Sequence, residues 1–180
     1  MLQVTIPAIE RWDEVNQEFI YTKEQTLQLE HSLVSLSKWE SKWCKPFISK
    51  EAKTEEETLD YIKCMTITQN VSPDVYNSIP DNIQNEIKRY IDAPMTATWF
   101  NDTKNGKANS EQITSELIYY QMISLGIPFK CEKWHLNRLL TLIKVCTIKS
   151  QPSKKMSKKA VMGHNAALNA ARKKQLHTRG

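Results

Sequence analysis

LEHSLVSLSKWESKW, residues 29–43, is the stretch at which the apolar pattern of this chain changes from period two to a helical period. Leu29, Leu33, Leu36 and Trp43 fall roughly on one face of a helix, while charged residues point elsewhere. Pro46 cannot continue a helix, so we predict that this helix ends before it.

Upstream of this stretch the apolar residues alternate with polar ones, which is typical of strands. We predict two or three short strands there, with residues 12–18 as the loop that joins the first two. The alternating residues are Leu2, Val4 and Ile6, then Phe19 and Tyr21, then Leu27 and Leu29.

Downstream the pattern is helical. Thr54 and Glu57 form a capping box for a helix that reaches about Thr66, and a helix from Pro80 to Pro94 is expected from isoleucines four residues apart. Further helices are predicted from an N-cap at Ser110, over residues 131–147, and over residues 157–176. The fold class is therefore α+β and mainly α: a short N-terminal β-hairpin or small sheet, five to six helices, and a basic C-terminal helix.

Charge is unevenly distributed along the chain. The formal net charge is +5, from 25 basic and 20 acidic residues. Residues 151–180 contain no acidic residue and eight basic ones, which leaves 17 basic and 20 acidic residues, a net charge of −3, in residues 1–150. We predict a compact, mostly helical domain with N-terminal strands over residues 1–150 and a basic helical tail over residues 151–180.

The chain shows no export or membrane signal. The N-terminus lacks a basic start followed by an apolar run, and no stretch of about 18 apolar residues occurs. We therefore expect a soluble protein of a reducing compartment with no membrane contact. Its four widely spaced cysteines are predicted to be buried free thiols.

Catalytic and cofactor motifs are missing from the sequence. No GxSxG, HExxH or phosphate-binding glycine loop occurs, so we expect neither enzymatic activity nor a cofactor. Glu55, Glu56, Glu57 and Asp60 are interpreted as a solvated helix N-terminus rather than paired catalytic carboxylates. Cys131 and His135 could share a metal on one helical face, but two ligands do not make a structural site, so packing is favoured and no metal is predicted.

The candidate binding residues are aromatic or basic. Trp39 and Trp43 lie one helical turn apart; a position in the core or at its edge is favoured over a partner groove, and both are kept as partner-binding candidates. The tail can neutralise phosphates, but it has no aromatic residue to stack on bases, so an acidic protein partner ranks equal to or above nucleic acid. Its candidates are Lys154, Lys155, Lys158, Lys159, Arg172, Lys173 and Lys174.

The two helices between Ser110 and Thr147 have a second interpretation. They could form a DNA-reading helix-turn-helix with Asn137, Arg138 and Lys144 as contacts. The second helix is rich in leucine, which favours burial over insertion into a groove.

Several strings carry a resemblance that covers most of the chain. They are residues 29–40 (LEHSLVSLSKWE), 45–47 (KPF), 95–100 (MTATWF), 134–140 (WHLNRLL) and 172–174 (RKK). The chain resembles small proteins of the structural gene modules of long-tailed bacteriophages, in particular tail assembly chaperones. This resemblance implies a protein that binds the tape measure protein in the host cytoplasm and helps tail tube subunits assemble on it, without catalytic residues.

An alternative function remains open from the same features. A structural virion component, such as a connector or tail completion protein, could contact DNA or an acidic protein partner through the basic tail. Self-association into a homo-oligomer is compatible with both functions.

Overall fold

The computed structural model describes residues 1–14, 17–49, 51–100, 112–151 and 158–176. Short strands occupy the N-terminal part and helices the remainder, which confirms the predicted mainly helical α+β class. Three of the residues named above, Ser110, Lys154 and Lys155, lie outside the described residues. The chain divides into two compact units, Met1–Thr147 and Ile148–Gly180.

The described part of the N-terminal region contains four strands, one more than predicted. They are β1 (Leu2–Ile6), β2 (Ile9–Asp13), β3 (Glu18–Thr22) and β4 (Gln25–Leu29). β1 pairs antiparallel with β4, and β2 pairs antiparallel with β3, so two two-stranded sheets form. Trp12, Asp13 and Glu18 were predicted as loop, but they belong to β2 and β3. The cross-strand pairs Trp12–Phe19 and Asp13–Glu18 extend both strands through charged sequence.

The first helices follow their local signals. α1 (Leu33–Trp43) begins after Ser32, whose hydroxyl accepts from the backbone N–H of Ser35, and α2 (Glu55–Met65) begins at the predicted Thr54–Glu57 capping box. A short helix, α3 (Pro73–Asn77), was not predicted. Pro73 at its first position is the signal that could have indicated it.

The later helices differ from prediction mainly at their starts. α4 (Asp81–Asp92) lies as predicted, but α5 (Ser115–Ser124) begins after Thr114 and therefore later than a Ser110 cap implies. The helix predicted over 131–147 is divided into a 3₁₀ turn (Phe129–Lys133) and α6 (Leu136–Ser150). The basic helix α7 spans Lys158–Leu176.

α1 stands between two hydrophobic clusters. Its Trp39 belongs to a first cluster built from β1, β4, α2, α3 and α4, and its Leu33 and Leu36 belong to a second cluster built with α5, the 3₁₀ turn and α6. Phe47 packs against both clusters. One amphipathic helix with apolar residues on two sides therefore organises the core of the first unit.

Candidate partner-binding site

Trp39 lies in the core, the favoured one of its two interpretations. Its side chain is 1% exposed, and its ring N–H donates to the backbone carbonyl of Glu57 at 2.9 Å. The ring packs edge-on against Phe47, with centroids 5.1 Å apart. In this conformation Trp39 offers no surface to a partner; it joins α1 to the start of α2.

Trp43 is half-buried at the edge of the same cluster. It stacks on Trp39 with ring centroids 6.1 Å apart, and its ring N–H donates to Asp60 Oδ2 at 2.9 Å. The ammonium groups of Lys42 and Lys45 lie 5.7 and 6.0 Å from its ring centroid. Trp43 is thus a core-edge residue under a small basic surface.

The carboxylates of α2 are only partly solvated, which corrects the interpretation of this cluster. Glu55 and Glu56 are exposed, but Glu57 and Asp60 are buried and form ion pairs with Lys45 and Lys42. These two ion pairs hold α2 against α1 and the loop that follows α1.

The electrostatics of the two ion pairs favour the charged form of both acids. The hydrogen bond from Lys45 holds the pKa of Glu57 below its usual value, and the backbone N–H bond of the capping box lowers it further. Burial alone would raise the pKa of Asp60, but hydrogen bonds from Lys42 and Trp43 outweigh it and lower the pKa. Neither acid is poised to donate or take up a proton near neutral pH.

Five of the predicted basic candidates lie on α7, and all five are exposed. Lys158 and Lys159 form its first turn, and Arg172, Lys173 and Lys174 lie in its last two turns, about 20 Å away along the axis. The helix contains no acidic residue. The structure therefore presents two clusters of positive charge on one helix, and the two tryptophans lie in the other unit.

α7 also exposes apolar residues at helical spacing. Val161 and Leu168 are 40% and 42% exposed, Leu176 is 68% exposed, and alanines fill much of the remaining surface. Leu168, Arg172 and Leu176 are four residues apart in sequence, so they share one face.

The three side chains considered as helix-turn-helix contacts interact with other parts of the fold. The Asn137 amide donates to the backbone carbonyls of Ile91 and Ala93 at 3.0 and 2.9 Å. Arg138 lies over the ring of Trp134, and Lys144 lies over the ring of Phe100, at 4.4 and 4.3 Å from the ring centroids. Arg138 and Lys144 remain exposed, but Leu136 and Leu139 of this helix are buried, as its leucine content favoured.

Cys131 and His135 do not share a helical face. Cys131 belongs to the 3₁₀ turn and His135 precedes α6, although both are buried. Within the described ranges, no group of three or more histidine, cysteine or acidic side chains could hold a metal ion. All four cysteines are free thiols, but of the four only Cys131 is buried; Cys64 and Cys146 are half-buried. Cys44, which ends α1 in a left-handed conformation, is exposed, which contradicts its predicted burial.

One exposed surface was not predicted from the sequence. Trp12, Phe19 and Tyr21 are 47%, 53% and 70% exposed on the β2–β3 hairpin. The period-two alternation of Phe19 and Tyr21 predicted a strand. Because Trp12 was assigned to a loop, the sequence did not predict that all three rings lie on one face.

Comparison with known protein families, curated proteins and solved structures found no match. No helix in the described ranges combines the length and apolar character needed to cross a bilayer.

Proposed function

We propose that this protein is a non-catalytic binding protein that engages an acidic, helical protein client through α7, and that it serves as a tail assembly chaperone of a long-tailed bacteriophage. The observation that carries the proposal is the exposure of α7, a helix of 19 residues with five basic and no acidic side chains. The bacteriophage assignment rests on the sequence resemblance alone.

The composition of α7 supports binding to another helix. Most helical stability in proteins comes from packing of one face of the helix against other structure rather than from helix propensity. Its alanines allow close approach of a second helix, and Val161 and Leu168 provide apolar contacts at i, i+7 spacing. Lysines and arginine on the rest of the surface favour a client with acidic residues beside its apolar stripe.

The tape measure protein is the client that the resemblance implies. A long helical protein that exposes apolar stripes before assembly is prone to aggregation, and a helix that covers such a stripe would keep it soluble. Tail tube subunits could then assemble on the covered client. This role needs no catalytic residue.

DNA binding is the competing function, and it is favoured only by the net charge of the tail. Phosphate contacts require basic residues alone, whereas single-strand binding also uses aromatic stacking, and residues 151–180 contain no aromatic residue. We therefore place a protein client first.

Co-expression tests the proposal. The chain is produced together with the long helical protein encoded beside it, and the soluble yield of that protein and its co-purification are measured. We expect both to rise with the wild-type chain. The triple variant R172E/K173E/K174E should lower co-purification at least roughly tenfold, about 1.4 kcal/mol.

A matched control carries the same charge change elsewhere. Lys38, Lys88 and Lys130 are exposed lysines of the first unit, and K38E/K88E/K130E should co-purify like wild type. Equal loss in both variants, or no gain in soluble client with the wild-type chain, would contradict the proposal. Tight, salt-dependent binding to duplex DNA that the tail variant abolishes would support the alternative function instead.

A further inference from the structure

The β2–β3 hairpin presents an aromatic face to solvent. Trp12 lies directly opposite Phe19, and Glu10 lies opposite Tyr21, so these four side chains share one face of the hairpin. The rings of Trp12 and Phe19 meet edge to face at 4.8 Å, and those of Phe19 and Tyr21 lie 6.4 Å apart. Three exposed aromatic rings in a row form a surface of the kind found at binding hot spots.

This face is not needed to complete the core. β2 and β3 pair with each other and form a sheet separate from β1 and β4. Neither core cluster includes Trp12, Phe19 or Tyr21. A two-stranded hairpin is marginally stable by itself, and packing of its apolar face against a partner would stabilise it.

The net charge of the hairpin segment indicates which partner charge would be attracted to it. Residues 9–24 contain five acidic residues and two basic ones, a net charge of −3. A segment of this net charge repels phosphates, which disfavours nucleic acid and anionic lipid. Glu10 shares the face of the rings, and this combination favours a cation, because a guanidinium or ammonium is attracted to the ring face as well as to the carboxylate.

The C-terminal half of α7 has the complementary pattern. Leu168, Arg172 and Leu176 form a stripe of an apolar residue, a cation and an apolar residue, and Lys173 and Lys174 lie next to it. The exposed leucines match the aromatic rings, and the three cations match the hairpin's net negative charge. Arginine is also the residue that stacks best on aromatic faces.

We propose that the aromatic face of the β2–β3 hairpin, formed by Trp12, Phe19 and Tyr21, binds the Leu168–Arg172–Leu176 stripe of α7 from a second copy of the chain. Each contact joins two different surfaces, the hairpin of one copy and the helix of the other. A reciprocal dimer, in which each copy gives its helix to the other, is the smallest closed form. This pairing needs no client, but it uses α7 residues that the proposed client would also contact, so the client and the second copy would compete for them.

Complementation between two defective variants tests the pairing. One variant, F19T/Y21T, lacks the rings of β3 but keeps strand-forming residues and an intact α7. The other, R172E/K173E, keeps the hairpin but reverses the charge of the stripe. We expect the wild-type chain to self-associate in sedimentation experiments at low salt, and each variant alone to associate at least roughly tenfold more weakly.

The mixture gives the decisive result. In a one-to-one mixture, the intact helix of F19T/Y21T meets the intact hairpin of R172E/K173E, so a heterodimer should form and native mass spectrometry should detect it. Tyr120 is an equally exposed tyrosine of α5, and Y120T and K130E serve as controls that should associate like wild type. Circular dichroism establishes that every variant is folded.

Two outcomes would overturn the proposal. A wild-type chain that stays monomeric at high concentration has no such interface. A mixture of the two folded variants that stays monomeric would show that the hairpin and α7 of different copies do not pair.

Discussion

Two buried histidines meet at the junction of the two core clusters. His31 and His135 are 3% and 6% exposed, and their ring centroids are 5.0 Å apart. His31 Nδ1 lies 2.5 Å from the Tyr61 hydroxyl, and His135 Nε2 lies 3.0 Å from the carbonyl oxygen of Tyr90. Because a carbonyl only accepts, Nε2 of His135 carries the proton, and its buried Nδ1 has no hydrogen-bond partner among the described residues.

This arrangement predicts that acid lowers the stability of the folded chain at pH values above those at which carboxylates are protonated. Burial lowers the pKa of His31 to about 4, with a contribution from His135, and burial also lowers the pKa of His135. The unfolded chain binds protons near pH 6.5 while the folded chain does not, so stability is complete above pH 6.5 and falls as the pH drops toward 4. For His31 alone, the free energy of unfolding decreases by about 3 kcal/mol over this range.

Urea unfolding between about pH 7 and pH 4.5 measures this loss. The variant H31Q should be less stable at neutral pH, but its free energy of unfolding should change much less over this range than that of wild type. H164Q, which removes an exposed histidine of α7, should keep the wild-type pH dependence. If the free energy of unfolding of H31Q fell as steeply with decreasing pH as that of wild type, the buried histidine would not be the cause of the fall.

At the scale of elements, one carboxylate joins three parts of the chain. Glu40 of α1 is 7% exposed, and its two oxygens accept the backbone N–H groups of Phe47 and Ser115, each at 2.7 Å. Ser115 is the first residue of α5, so a negative charge from α1 satisfies an N–H at the positive end of that helix. The variant E40Q would turn an amide NH₂ toward one of these donors, and we expect about 2 kcal/mol of destabilisation.

Denaturant unfolding of E40Q tests this link against a matched control. Glu56 is an exposed glutamate in the first turn of α2, and E56Q should change the free energy of unfolding by less than about 0.5 kcal/mol. If the two variants are equally stable, Glu40 is not a structural link.

Elements defined by neighbouring residues were predictable from the sequence. The Thr54–Glu57 capping box and the i, i+4 isoleucines of α4 depend on residues within one or two turns, and both helices lie where they were predicted. The start of α5 is local only in part: Thr114 caps it by accepting from the N–H of Leu117, whereas Glu40, 75 residues away, binds its first N–H. The burial of Glu57 and Asp60 was missed for the same reason: Lys45 and Lys42, which pair with them, come from another part of the chain.

The candidate site was predictable only in part. The charge of α7 follows from composition alone, and its helix lies within about one residue of the predicted range. The aromatic face of the hairpin was not predictable, because it depends on the register that places Trp12 opposite Phe19. Cross-strand pairing is a tertiary property that single-strand alternation does not reveal.

At the scale of the whole molecule, the prediction that residues 1–150 form a complete domain can be tested by truncation. The described residues beyond Cys146 belong to neither core cluster, so removal of residues 151–180 takes none of the described core side chains. At low concentration, where self-association contributes little, the free energy of unfolding of the truncated chain should equal that of the full chain within about 0.5 kcal/mol. Its net charge should change from +5 to −3, which ion-exchange chromatography at neutral pH detects.

A shorter chain provides the control for this truncation. Ending the chain at Leu142 removes Ile143, which is 5% exposed in the second cluster, and should destabilise the protein by at least about 2 kcal/mol. A chain of residues 1–150 that unfolds as easily as this control would contradict the predicted boundary, because the tail would then contribute to the stability of the domain. Equal stability of the 150-residue and full-length chains would leave α7 as a segment retained for binding rather than for folding.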